Sequence, residues 1–381
     1  MLKRKLTNRN IHIWLPSYII QNIKSKPRIP YGKPIHIIFA ITDHFEPLWN
    51  RPSIEQGLAR VDAWVKGYPE TVKIHVDADG KCPQHTWFYP IDEFRPKHLE
   101  ELSKLCHAGY GEIELHLHHD NDTAIGLREK IENAKKEFSK YGALIVKTCR
   151  NGNTDSDYIY PYGFIHGNWS LDNSRRDGKW CGVNNELRIL AETGCYADFT
   201  MPSAPSDTQS KKINSIYYAV DDPDKPKSYN TGIDVEVNKK PSGDLMMIQG
   251  PLCLNWKQRK ALIFPKIENG SITANNPPTI DRMALWIKQH IHVRGRPDWV
   301  FVKVYTHGAQ GKNYKAFLGR DGLLDKMYFY LESKYNDGTK YILHYTTARE
   351  MYNIIKAAEA GKNGNPNNYR DYIIPPYVNR T

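Results

Sequence analysis

No run of about 18 apolar residues occurs in the chain, and the mean hydropathy is -0.63, so a membrane-spanning helix is not expected. Cysteine is sparse. Cys82, Cys106, Cys149, Cys181, Cys195 and Cys253 lie far apart and form no CxxC, which argues against a disulfide scaffold and suits a reducing compartment. Long basic blocks are missing too, although the net charge is +11, from 53 Lys and Arg against 42 Asp and Glu. The excess is spread over pairs such as Arg175-Arg176, Lys211-Lys212 and Lys239-Lys240. With no nucleic-acid module signature, this charge reads as a solvated cationic surface and no nucleic-acid partner is expected. Internal repeats and low-complexity tracts are also lacking.

What remains is an ordinary globular balance, 40% hydrophobic and 25% charged over 381 residues. That length suits one large α/β domain with extensions, or two domains. Residues 1–34 read as a basic N-terminal arm whose apolar part is broken by His12, Pro16 and Ser17, so a secretory signal is not expected. Trp14, Leu15, Tyr18, Ile19 and Ile20 beside Lys and Arg leave two readings for residues 1–25: an interfacial helix on an anionic membrane, or a packing arm. The expected location is cytoplasmic, membrane-associated in the first of these readings.

Residues 35–350 alternate between strand and helix patterns. "PIHIIFAITDHFEP" (34–47), "TVKIHVDADG" (71–80), "HTWFYP" (85–90) and "EIELHLH" (112–118) read as strands. Helical spacing falls between them, with Leu58, Val61, Trp64 and Val65 in one segment and Leu99, Leu102 and Leu105 in another. "NNELRILAETGCYADFT" and "DRMALWIKQHIHVRG" followed by "DWVFVKVYTHG" repeat the unit. This order predicts a parallel β/α architecture. The Pro-, Asn- and Lys-rich stretch 202–280 reads as an insertion or small β subdomain, and 351–381 as a helix end and an extended polar tail. Thr347 and Glu350 are spaced as a capping box.

In such a fold the polar residues at the C-terminal ends of strands carry the chemistry. Strand one ends in Asp43 and His44, with Glu46 just beyond; "ELHLHHD" supplies His116, His118, His119 and Asp120. "FIHGNW" supplies His166, Asn168 and Trp169, and "VKVYTHG" supplies Lys303, Tyr305 and His307. Alternation puts Glu114, His116 and His118 on one face of their strand. A Zn-like ion takes His nitrogens and a carboxylate and leaves a position for water, which it acidifies. A carboxylate can take the water's proton and a histidine opposite can protonate the leaving group. Asp43, His116 with His118 or Asp120, and His307 fit those roles. His36, His75 and His85 lie before or within strands and read as structural.

The chain resembles the polysaccharide deacetylases of carbohydrate esterase family 4, the NodB-homology domains. "AITDHFE" stands where that family has "TFDDG", "HTWFYP" where it has "ATFF", and "EIELHLHHD" where it has "EIGNHTxxH". "FIHGNWS", "TGCYADFT" and "VKVYTHG" follow in the family's order, over roughly residues 35–310. The resemblance implies a deformed (β/α) barrel and metal-dependent removal of acetyl groups from an N- or O-acetylated sugar, a carbohydrate substrate within glycan biosynthesis. It implies Asp43 as general base, His307 as general acid and His116 as a metal ligand. His44 stands at a metal-binding aspartate and Asp120 at a second metal histidine, with His118 an equal candidate. Ile165, beside His166, stands at an arginine position. Trp169 and Tyr305 would offer faces to a sugar ring, or else pack in the core, while His166 and Asn168 would line the substrate. Three rivals remain: a glycoside hydrolase on a related seven-stranded barrel using Asp43 with Glu46 or Glu114, an amidohydrolase-like enzyme using the HxH pair, and a non-catalytic glycan-binding or scaffolding barrel.

Overall fold

A computed structural model describes residues 9–23, 29, 32–144, 148–149, 158–260 and 264–377. Its centre is a large, mostly parallel sheet. Strand β1 (Ile35–His44) carries Ile37, Ile38, Phe39, Ala40 and Ile41, all buried, the near-continuous apolar run of a parallel strand covered on both faces. Further strands of this sheet are β2 (His85–Pro90), β3 (Gly111–Leu117), β4 (Tyr162–His166), β5 (Cys195–Asp198), β6 (Ile216–Ala219), β7 (Ile233–Asp234) and β8 (Leu245–Ile248), while Thr148–Cys149 and Tyr158–Ile159 pair apart from it. A separate hairpin, β9 (Cys253–Lys260) and β10 (Phe264–Glu268), precedes β11 (Ser271–Ile272), β12 (Trp299–Thr306) and β13 (Tyr341–Tyr345). The sheet runs β11-β12-β1-β2-β3-β4-β5-β8-β6-β7, and β13 pairs with the first half of β1.

Helices cover this sheet: α1 (Ile11–Ile23), α2 (Ile54–Val72), α3 (Pro96–His107), α4 (Ala124–Ser139), α5 (Glu186–Glu192), α6 (Ile280–Lys288), α7 (Asn313–Phe317), α8 (Leu323–Tyr335) and α9 (Ala348–Glu359). Local chemistry starts several of them. Ser53 and Gln56 form a capping box at α2, and Thr347 and Glu350 form the expected one at α9. The α/β reading and the parallel order hold. A closed ring does not form among the described ladders, which stop at β11 and β7. The sheet curls nonetheless: Lys303 Nζ on β12 donates to the carbonyls of Phe199 (2.6 Å) and Met201 (2.7 Å) beyond β5.

Three expectations are corrected. "TVKIHVDADG" is no strand, because α2 continues to Val72 and the chain then turns, leaving Ile74 and Val76 exposed while Asp77 is tied to Arg370. The stretch 202–280 is only partly an insertion. Its buried β8 joins the main sheet beside β5, through Met247 and Asp198, while only the β9-β10 hairpin stands apart. The segment after α9 is not an extended tail. Arg370, Ile374 and Tyr377 are buried, and Arg349 and Asn353 donate to the Arg370 and Ile374 carbonyls.

In the N-terminal arm, α1 buries Trp14 and Ile11 against Ala204, Ile213, Leu252 and Ile267. The packing reading therefore holds for this face, whereas Ile19, Ile20 and Ile23 are exposed. The rest of the arm, residues 1–8 and most of 24–31, lies outside the described residues. Among the described residues no helix is long and apolar enough to cross a membrane.

Candidate metal centre

Parallel pairing aligns the C-terminal ends of β1, β2, β3, β4 and β12 on one edge of the sheet. Asp43 pairs with Thr306, His44 with Phe88, Pro90 with His116, and His116 with Ile165. Five polar side chains from three of those ends converge there. The His44 ring stacks on His307 at 4.6 Å and meets His116 at 5.1 Å, and His116 meets His118 at 4.5 Å. Glu46 reaches back from the loop after β1. Its Oε1 lies 3.1 Å from the Nε2 of both His116 and His118, and its Oε2 accepts from Gln310.

One contact is informative about charge. His116 Nδ1 lies 2.8 Å from the Ile165 carbonyl, which can only accept, so Nδ1 carries a proton. In the neutral ring Nε2 then presents a lone pair to the Glu46 carboxylate, another acceptor. Two buried acceptors face each other unless a proton or a cation lies between them. A carbonyl that fixes the tautomer of a histidine is also the usual outer partner of a metal-binding imidazole.

The surrounding electrostatics favour ligation. Burial alone would raise the Glu46 carboxyl, but the His116, His118 and His307 rings around it hold it well below the usual carboxylate range. Burial, with His307 and His116 nearby, holds His44 well below the usual imidazole range, and burial pushes His307 down too. Neutral imidazoles beside an ionised carboxylate are what a divalent ion takes. His118 is the exception. Burial opposes its protonation, yet Asp92 and Glu46 push it up to about 10. Its Nδ1 lies 3.3 Å from Asp92, which also accepts its backbone N–H at 2.9 Å. The ligand atoms of His44, Glu46 and His307, and those of Glu46, His116 and His118, form two overlapping groups that could hold a metal ion.

Neither any family model nor any curated protein matches the chain.

Not every expected residue joins this cluster. Asp43, next to His44 on the strand, turns to the opposite face. Its Oδ2 lies 3.0 Å from His85 Nε2, and its Oδ1 accepts the N–H of Gly308 at 2.6 Å. A Cβ at Gly308 would stand 2.1 Å from Asp43 Oδ2, so the turn after His307 needs glycine. Asp43 therefore positions that turn. Asp120 is exposed and accepts the Trp180 N–H at 2.6 Å, so of the two competing residues it is His118 that meets His116. His166 faces His119 instead, with their Nε2 atoms 2.8 Å apart.

Asn168 is exposed, and both it and Trp169 have positive φ, 53° and 56°, rare for a bulky residue. This turn brings the Trp169 ring within 6.2 Å of His44 and 6.1 Å of His307. Tyr305, buried, lies 5.7 Å from His44, and its hydroxyl is 2.9 Å from Asn269 Nδ2. Glu114 is locked by the hydroxyls of Tyr196 (2.6 Å) and Tyr377 (2.8 Å). His36, His75 and His85 are held by His344, by Asp325 with Glu332, and by Asp43, the structural roles expected of them. Glu46, the hub, stands in "DHFE" just beyond strand one, where the sequence offers it only as a glycoside hydrolase carboxylate beside Asp43. Asp92 and Gln310 carry no sequence signal. A cavity of about 800 Å³ lies elsewhere, between α1, Trp256 and α6, and none of the cluster residues lines it.

Proposed function

We propose that the strand-end cluster is a divalent-metal hydrolytic site, and that it removes acetyl groups from an N- or O-acetylated sugar on a deformed barrel of the NodB-homology type. The observation that carries the metal reading is the contact between the Glu46 carboxylate and a His116 ring whose other nitrogen already donates to Ile165. His44, Glu46 and His307 would hold the ion, with His116 on the same Glu46 carboxylate at 3.1 Å, and Zn is the best match to a set of imidazoles and one carboxylate. When bound, such an ion polarises a carbonyl and acidifies water. The motif order over residues 35–310 supports the acetyl and sugar parts of the reading.

The chain's own residues divide the remaining work. His118 has an outward face, its side chain 26% exposed, and Asp92 fixes its ring through Nδ1. A histidine so oriented can hand a proton to a departing amine or alkoxide. This moves the acid role from His307, which stacks on His44 inside the cluster. Asp43 serves by positioning the His307–Gly308 turn. Trp169 and Tyr305 flank the cluster as faces for a sugar ring, and Trp169 Nε1, which has no hydrogen-bond partner among the described residues, is a donor left for its hydroxyls.

The glycoside hydrolase reading is weaker, because Asp43 is engaged by His85 and Gly308 and Glu114 by two tyrosines. Metal analysis of the purified chain beside its His116→Ala variant tests the proposal. The variant should lose about one equivalent of divalent ion relative to wild type. Acetate release from N- and O-acetylated oligosaccharides should be lost with it. Equal metal content in the two proteins would overturn the metal reading, and metal without acetate release would overturn the substrate reading.

A further inference from the structure

A second set of ligating side chains meets in the interior. His119 follows β3, His166 ends β4, Cys181 lies in the loop before α5, and Glu186 opens that helix. All four are buried, with one ligand atom of each within 4.8 Å of the others. Hydrogen bonds fix which nitrogens face inwards. His166 Nδ1 lies 2.6 Å from the Gly167 carbonyl, so it carries the proton. His119 Nδ1 lies 2.9 Å from Asp122 Oδ2, a carboxylate oxygen that Lys130 Nζ also contacts at 2.6 Å.

With both rings neutral, the two Nε2 lone pairs face each other at 2.8 Å, and Glu186 and Asp122 draw a proton to His119 against its burial. Glu186 Oε1 joins them, 3.3 Å from His119 Nε2 and 3.5 Å from His166 Nε2, in no hydrogen-bonding geometry. Three potential acceptors thus converge in a buried place. A single shared proton satisfies one pair and leaves the third atom bare, whereas one cation satisfies all three.

The sulfur completes the set. Cys181 Sγ receives the backbone N–H groups of Asn173 (3.2 Å) and Val183 (3.4 Å), and its own S–H points to Glu186 Oε2 at 3.4 Å; burial beside Glu186 favours the thiol, so a bound ion would displace that proton to make the thiolate ligand. The other oxygen of Glu186 is occupied by the Asp172 N–H. Two imidazoles, one thiolate and one carboxylate make a closed four-ligand set with no position left for substrate, the pattern of a structural zinc site. Each histidine also has the outer partner such ligands use, a carboxylate for His119 and a carbonyl for His166. A third group, Asp77, Asp79 and His344, lacks this need, because Arg370 already supplies the positive charge.

We propose that His119, His166, Cys181 and Glu186 bind a structural Zn²⁺, in addition to any ion at the His44 cluster. The ion would staple the loop 171–185, which has positive φ at Asp172, Asn173 and Trp180, to the ends of β3 and β4. Those ends carry His116 and the turn that aims Trp169, so the staple would brace one wall of the first site.

Cobalt tests this without any activity assay. Cys181 is the cysteine grouped with histidines among the described residues. A thiolate-to-cobalt charge-transfer band therefore reports this site and not the other. Chain stripped of metal and reloaded with Co²⁺ should show the band, His116→Ala should keep it, and Cys181→Ala should lose it with about one metal equivalent. No band in reloaded wild type, or a band persisting in Cys181→Ala, overturns the proposal. Should Cys181→Ala fail to fold, the wild-type spectrum still decides, with His166→Gln, expected to weaken or shift the band, as the second variant.

Discussion

Glu46 Oε1 sits 3.1 Å from the Nε2 atoms of both His116 and His118, so one carboxylate oxygen joins the end of β3 to the loop after β1. Glu46→Gln keeps the shape and removes the charge. Affinity for Zn²⁺ should fall by at least the roughly 10–100-fold seen when outer partners of metal ligands are lost. Chelator competition measures it, and unchanged affinity would show that Glu46 only pairs with protonated histidines.

His118 and Asp92 are assigned to proton transfer and not to ligation. His118→Gln should lower turnover by about 10²–10⁴-fold while metal content stays at the wild-type level. Asp92→Asn should lower it less, because the ring loses its orienting charge but keeps its place. Loss of metal in His118→Gln would move that histidine into the ligand set.

Glu114 is buried and its carboxyl is pushed up to about 8 by that burial. The folded chain then holds a proton that the unfolded chain releases near 4.5. Its contribution to stability is complete below that lower value and is lost as the pH climbs to about 8. Thermal midpoints of wild type should fall across this window more steeply than those of Glu114→Gln. Parallel pH profiles would mean that Glu114 is ionised in the fold.

Trp14 is fully buried where α1 meets the β9-β10 hairpin and the segments before it. Trp14→Ala should weaken the docking of α1 by about 3–5 kcal/mol, the usual range for emptying such a site. Limited proteolysis should then cut within 11–23 while the main sheet resists. Wild-type resistance in the variant would show that the exposed side of α1, with Ile19, Ile20 and Ile23, makes the contact that matters.

The sequence carried its local physics plainly. The apolar run Ile37–Ile41 could only be a strand covered on both faces, Thr347 with Glu350 could start a helix, and strand ends rich in histidine marked one edge of a parallel sheet. His44, His116, His118 and His307 were legible because alternation and strand polarity are periodic, and period survives in a linear text. Other features had no such period. Which way Asp43 turned, whether His118 or Asp120 faced inwards, and that β8 lies beside β5 depended on partners distant along the chain. His85 and Gly308 claim Asp43, and Trp180 claims Asp120. The meeting of His119, His166, Cys181 and Glu186 was equally hidden, because each lies in a separate loop or element end and only the pairing of β3 with β4 and the return of the 171–185 loop brings them within ligand distance. The sequence by itself determined which segments fold as strands and helices and which residue types stand at their ends, since that is settled by neighbours a few residues apart. The tertiary structure decided which of those ends share a proton or a cation, because such contacts are set by the packing of the sheet and not by spacing along the chain.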